Sequence, residues 1–289
     1  MIELNQKGKL VLEADRKRGA FQRVPDDTEE LTIKTPESSE TAELLVLGHR
    51  LKSLAKLQLQ YGLLERLDFL EAFTSIRTLF VNHLNDLKDF SGIGYCIKLT
   101  HLSLTQSLSS VGSLAFLRNL PDLQRLHLEG PHPSKGMDKV GPLLKLQTLN
   151  LYAPRWSMEH LPITFPALEN LVISQGGYQS LDFIASLDSL TALDIAYARK
   201  LSVFDAIGRH PRLRSLRIGH AIRSLQSCSQ FGYSSTVEQI RITGCTQLKD
   251  IGSLVDWPSL REAKIYDCPL IPVAQMEMLR KTGKIVNGK

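Results

Sequence analysis

No stretch of this chain is apolar for the roughly 18 residues that a membrane-spanning helix needs, so a transmembrane reading is excluded by length. Cysteine is scarce and scattered: Cys96, Cys228, Cys245 and Cys268 never fall into a C-x-x-C pair. That argues against both a disulfide scaffold and a zinc ribbon. The first residues, MIELNQK, lack the positive start and apolar run of a secretory leader, so a cytoplasmic location is expected. Missing too are the motifs G-x-S-x-G, H-E-x-x-H, the phosphate-binding P-loop and G-x-G-x-x-G. Catalysis therefore has no local signature, and no enzyme, cofactor or metal is expected.

What is present is an ordinary soluble balance of 43% apolar and 22% charged residues over 289 positions. That is enough apolar matter for a large core. The formal net charge of +5 is unevenly spread. Residues 209–289 hold 13 of the Lys and Arg against 6 of the Asp and Glu. A basic C-terminal third favours an acidic partner, or solubility alone.

The dominant signal is an internal repeat. The pattern Leu-x-x-Leu-x-Leu starts at Leu54, Ile76, Leu99, Leu123, Leu146, Leu168, Leu190, Leu213, Val237 and Leu260, ten copies in all. From Leu57 to Ala263 the steps are 22, 23, 24, 23, 22, 22, 23, 24 and 23 residues. The last two apolar residues of each copy are two apart, so they share one face of a short strand, and the residues between them face the other way. One copy cannot bury its apolar face alone; neighbours must stack. Between strands, apolar residues recur every third position, as in Leu84, Leu87, Phe90 and Ile93, in Leu108, Val111, Leu114 and Leu117, in Tyr178, Leu181, Ile184 and Leu187, or in Leu248, Ile251, Leu254 and Trp257. A period of three suits 3₁₀ turns, whose side chains eclipse at i and i+3. Pro121, Pro166, Pro211 and Pro258 each stand five residues before a strand anchor, where proline ends the return leg.

On these motifs the chain resembles leucine-rich-repeat proteins, nearest to the short SDS22-like class. The resemblance spans about 54–268. It implies an α/β fold: a right-handed solenoid with a curved parallel β-sheet on the concave face and 3₁₀ or irregular turns on the convex face. It is nearly silent about function. One departure stands out. Where the family often places Asn, three residues past the last strand apolar, this chain has Gly62, Leu84, Ser107, Pro131, Pro154, Gly176, Ala198, Ala221, Cys245 and Cys268. Buried thiols are expected at the last two positions.

Three segments follow. Residues 1–53, with strands expected near 9–13, 30–34 and 43–47, form a β-rich N-terminal cap continuous with the solenoid. Residues 54–268 form the ten repeats, and residues 269–289 form a C-terminal cap. That cap has a helix at Val273–Lys281, started by Pro272 and stopped by Gly283, which covers the last repeat through Met276, Leu279 or both.

The expected partner surface is the concave sheet. Its central column reads Gln58, Phe80, Ser103, His127, Asn150, Val172, Asp194, Arg217, Arg241 and Lys264. Aromatics and Arg among small polar neighbours are typical of binding hot spots, and Phe80, His127 and Tyr266 belong to this surface. One patch joins Tyr152, Arg155, Trp156, Tyr178 and Tyr197; Trp156 is either an anchor or an indole folded back over the repeat edge. A second joins Arg217, Arg241 and Lys264, whose like charges an anionic partner would relieve. Its bland counterpart is a solvated face neutralised by Asp194 and Glu262. His83, His101 and His127 with Glu129 offer a metal-site alternative, weakened by their offset columns.

The function expected is binding of another protein that presents an acidic patch, by a monomer, with no membrane involved. An inhibitor or immunity protein of a toxin or effector is one form of it. An SDS22-like regulatory subunit of an enzyme such as a phosphatase is the alternative. Nucleic acid fits less well, since Tyr266 alone interleaves with the basic column.

Overall fold

The computed structural model describes residues 2–4, 8–12, 19–106, 113–130 and 139–288. The chain divides into two compact units, Met1–Leu146 and Gln147–Lys289. The expected residues Leu108 and Val111, with Ser107 and Pro131, lie outside the described residues.

In the first unit, β1 (Ile2–Leu4) runs antiparallel to β2 (Lys9–Leu12). From β2 onward each strand pairs in parallel with the next: β3 (Glu30–Lys34), β4 (Lys56–Gln60), β5 (Thr78–Asn82), β6 (His101–Thr105) and β7 (Arg125–Glu129). Two of the expected N-terminal strands are thus present. The third is corrected: residues 43–47 lie inside a helix, α1 (Thr41–Arg50). Alternating apolar positions suggested a strand there, but Leu44 and Leu47 are three apart and bury together, a helical spacing. The guanidinium of Arg50 then ties the helix end to Asp26 at 2.7 Å and donates to the carbonyl of Val24.

The second unit carries β8 (Thr148–Tyr152), β9 (Asn170–Ser174), β10 (Ala192–Ala196), β11 (Ser215–Gly219), β12 (Gln239–Thr243), β13 (Glu262–Tyr266) and β14 (Ile285–Asn287), all parallel. Helix α4 (Val273–Lys281) caps the last repeats, burying Met276 and Leu279. Strand β14, which returns beside β13, has no counterpart in the sequence expectations, because three residues carry no periodicity.

Within every repeat strand the two motif apolars are buried while their alternate neighbours, Gly219 excepted, are not, as in Leu57 and Leu59 against Lys56, Gln58 and Gln60. Burying each such Leu or Ile is worth roughly 1.5–3 kcal/mol. The return legs are 3₁₀ turns at Asp68–Ala72, Ser91–Tyr95, Ala115–Asn119, Asp182–Ser186 and Gly252–Asp256. Short α-helices α2 (Leu161–Thr164) and α3 (Ala206–Arg209) replace them in two repeats. Leu84, Leu87, Ile93, Leu181, Ile184, Leu248, Leu254 and Trp257 all reach 0% exposure, so the period of three does mark a buried stripe.

Strands β3 to β13 each end on a backbone device. The residue just past each is left-handed: Thr35, Tyr61, His83, Gln106, Ala153, Gln175, Tyr197, His220 and Asp267 have φ between 48° and 62°. A side chain there costs roughly 1–2 kcal/mol. The turn aims the backbone N–H at the next strand's end, and the bonds repeat: Tyr61 to Asn82 at 2.9 Å, His83 to Thr105 at 2.8 Å, His220 to Thr243 at 2.7 Å.

Candidate functional site

The open side of the sheet carries the expected columns in register. In the first unit Gln58, Phe80, Ser103 and His127 stand side by side. In the second, Asn150, Val172, Asp194, Arg217, Arg241 and Lys264 do so. These side chains are half-exposed or exposed, not enclosed by the chain's own loops.

Phe80 packs under the ammonium of Lys56, 5.5 Å from its ring centroid. His127 Nε2 lies 3.4 Å from Glu129 Oε2. His101 Nδ1 meets Thr100 Oγ1 at 2.8 Å, and burial with the nearby Arg125 holds its pKa below the usual histidine range. His83 stacks on Tyr61, with centroids 4.9 Å apart. The histidines are thus engaged separately, and no group of three metal-ligating side chains converges among the described residues.

In the basic column, Asp194 reaches Arg217 only at 3.9 Å, while Glu262 pairs tightly with Lys264 at 2.8 Å. Arg241 has no carboxylate within 4.0 Å among the described residues; its guanidinium sits over the ring of Tyr266, 5.5 Å from the centroid. Burial pushes the Asp194 carboxyl above the usual range, against the pull of Arg217 and Arg241. The ends of this column are thus countered by carboxylates, and among the described residues its middle is not.

The aromatic patch divides. Arg155, Trp156 and Tyr178 come together around an open pocket of about 680 Å³, with Met158, Glu159, Asp182 and Phe183. Trp156 is only 6% exposed, so its indole is packed into the fold at this edge of the pocket. Tyr178 meets Phe183 edge-on at 6.0 Å, and burial raises its phenol pKa. Tyr152 stays on the sheet, where Gln175 Nε2 donates to its hydroxyl at 2.6 Å. Tyr197 is not part of the pocket; it stacks on His220 at 5.1 Å with planes 15° apart.

That last pairing, like Tyr61 on His83, was not anticipated. Rings on adjacent left-handed residues must lie face to face, because the repeated backbone turn projects them in parallel. The available clue was the column one residue past the repeat strands, which these rings share with Gly130, Gly244 and Asp267. The thiols at the Asn position are buried as expected. Cys268 Sγ donates to the Tyr266 carbonyl at 3.2 Å, supplying a donor to the strand end. No candidate membrane helix occurs among the described residues.

No family model matches the chain, and no curated protein sequence does. Among solved structures, the leucine-rich-repeat domain of the type III effector XCV3220 (XopL) is similar at TM-score 0.50 and 17% identity, over 86% of this chain and 81% of that one. The Leptospira interrogans leucine-rich-repeat protein LIC12759 aligns at TM-score 0.42 and 12% identity, over 94% and 92% of the two chains. The TLR13–ssRNA13 complex aligns at TM-score 0.48 and 12% identity, over 85% of this chain and 48% of that one. At such identities the first likeness speaks to fold alone, and the other two add nothing to it. The fold is a leucine-rich-repeat solenoid.

Proposed function

We propose that this chain is a non-enzymatic protein-interaction module that holds a partner protein on the open face of its sheet. One observation carries the reading: the strand residues that alternate with the buried apolars stand in register and stay accessible, repeat after repeat. A surface so varied, with Phe80, Tyr152 and Tyr266 among polar neighbours and Arg217, Arg241 and Lys264 in one line, suits a partner with an acidic patch. The partner would bury on the order of 1,600 Å² of total surface.

Inhibition of a toxin or effector, as by an immunity protein, is the form we favour; an SDS22-like regulatory subunit is the alternative. Affinity purification from native cells, followed by binding with the purified partner, tests the module. Tyr152→Ala combined with Arg217→Ala abolishes that binding while the unfolding temperature stays put. Unchanged binding overturns the reading. Expression of the partner alone then separates the two forms: an inhibited toxin arrests growth, and a regulated enzyme does not.

A further inference from the structure

The second unit holds a trough that no column of the sequence reveals by itself. Along β10, β11 and β12, the open-face residues nearest the strand ends are Ala196, Gly219 and Thr243, adjacent in register. They are small; Gly219 is buried, with a Cβ added there coming within 3.2 Å of the Thr243 carbonyl oxygen, while Ala196 and Thr243 are half-buried. One wall is the pair Arg217 and Arg241, in register and exposed. The other is the Tyr197–His220 stack on the left-handed turn, with Tyr197 45% exposed. Tyr266 on β13 closes one end, under Arg241. Beneath the floor, the buried Thr243 hydroxyl has no hydrogen-bond partner among the described residues.

Resting on the protein-binding reading above, we infer that this trough seats an extended acidic segment of the partner, its carboxylates on Arg217 and Arg241 and an aromatic side chain against Tyr197. Charge decides the occupant. Two guanidiniums one strand apart stand about 4.8 Å from each other at the backbone. Of these two, only Arg217 has a carboxylate in reach among the described residues, and that at 3.9 Å. Carboxylates at i and i+2 of an extended chain lie about 6.7 Å apart, within the span of side chains as long as Arg. The planar guanidinium favours carboxylate in paired hydrogen bonds. Small floor residues let the segment's backbone approach, and the tyrosine face gives a ring something flat to pack on. Facing this seat are Asp194 beside Arg217 and Glu262 on Lys264; Asp194 competes with an incoming carboxylate.

The test is fluorescence anisotropy with a labelled twelve-residue peptide alternating Glu with neutral residues and carrying one Phe. Its Gln counterpart and a single-stranded oligouridylate of equal length are the comparison probes. The full chain should bind the Glu peptide at least about tenfold more tightly than the Gln peptide. Arg217→Gln with Arg241→Gln should remove about tenfold of that affinity, and Asp194→Asn should improve it about twofold, by removing the competitor. Gly219→Val, which fills the floor, should weaken it without touching a charge. Equal affinity for the two peptides, tighter binding of the oligouridylate, or Asp194→Asn moving in the same direction as the arginine variants would each overturn the inference. Once the partner is in hand, its retention by the Arg217/Arg241 variant together with its loss from Tyr152→Ala overturns the trough and leaves the module standing.

Discussion

Gly92 sits where two return legs touch, and substituting it measures how tightly this solenoid is stacked. An added Cβ would fall 2.1 Å from the carbonyl oxygen of Leu67 and 2.4 Å from its carbonyl carbon. The obstacle is backbone, not a side chain that can swing away. Gly92→Ala must therefore push the turn Ser91–Tyr95 off the preceding repeat by about 1 Å to reach ordinary contact distance. Overpacking of this kind costs about 1–3 kcal/mol. Against it stands the smaller entropy of an unfolded chain with Ala instead of Gly, worth roughly 0.4–1 kcal/mol. The balance is a loss of about 1–2 kcal/mol, which lowers the unfolding midpoint by about 2–3 °C in a chain of this size. Thermal and urea unfolding followed by circular dichroism read it directly, with Gly177→Ala as the control, since nothing lies within 4 Å of a Cβ there. If Gly92→Ala and Gly177→Ala unfold alike, close stacking of the return legs is not what Gly92 provides.

Three further outcomes are expected. Trp156→Ala should cost about 3–5 kcal/mol, because the indole is core despite lining a pocket; a variant of wild-type stability would show that it is not packed as described. His210 is 2% exposed, and its burial holds the imidazole pKa down although Nε2 meets the Leu187 carbonyl at 3.2 Å. A depressed folded pKa gives stability that is full above the unfolded value and is lost as pH falls through the folded one. The urea midpoint of the wild type should thus drop between about pH 7 and 5 more than that of His210→Gln, and parallel curves would refute it. Finally, Cys268 should react with maleimide first in the native state. The hydrogen bond from Cys245 draws its pKa down, whereas burial pushes Cys96 up to about 12; labelling of Cys96 ahead of Cys268 would contradict this.

The ten repeat strands, the 3₁₀ return legs and the capping helix Val273–Lys281 were legible in the sequence, because each depends on a short local pattern. Strand residues two apart must share a face, and apolars three apart must line a tight turn, whatever the rest of the chain does. The same reasoning failed at 43–47, where an amphipathic helix imitated a strand over a window too short to separate the two periods. Of the candidate site, the columns were readable and their electrostatics were not. That Glu262 neutralises Lys264, that Arg241 rests on Tyr266, and that Tyr197 leaves the aromatic patch for His220 depend on side chains from different repeats. Register and the left-handed turn bring those side chains together only after stacking. Periodicity belongs to the chain and was written in its residues; adjacency across repeats belongs to the packed sheet, and it decided which charges and rings stand open.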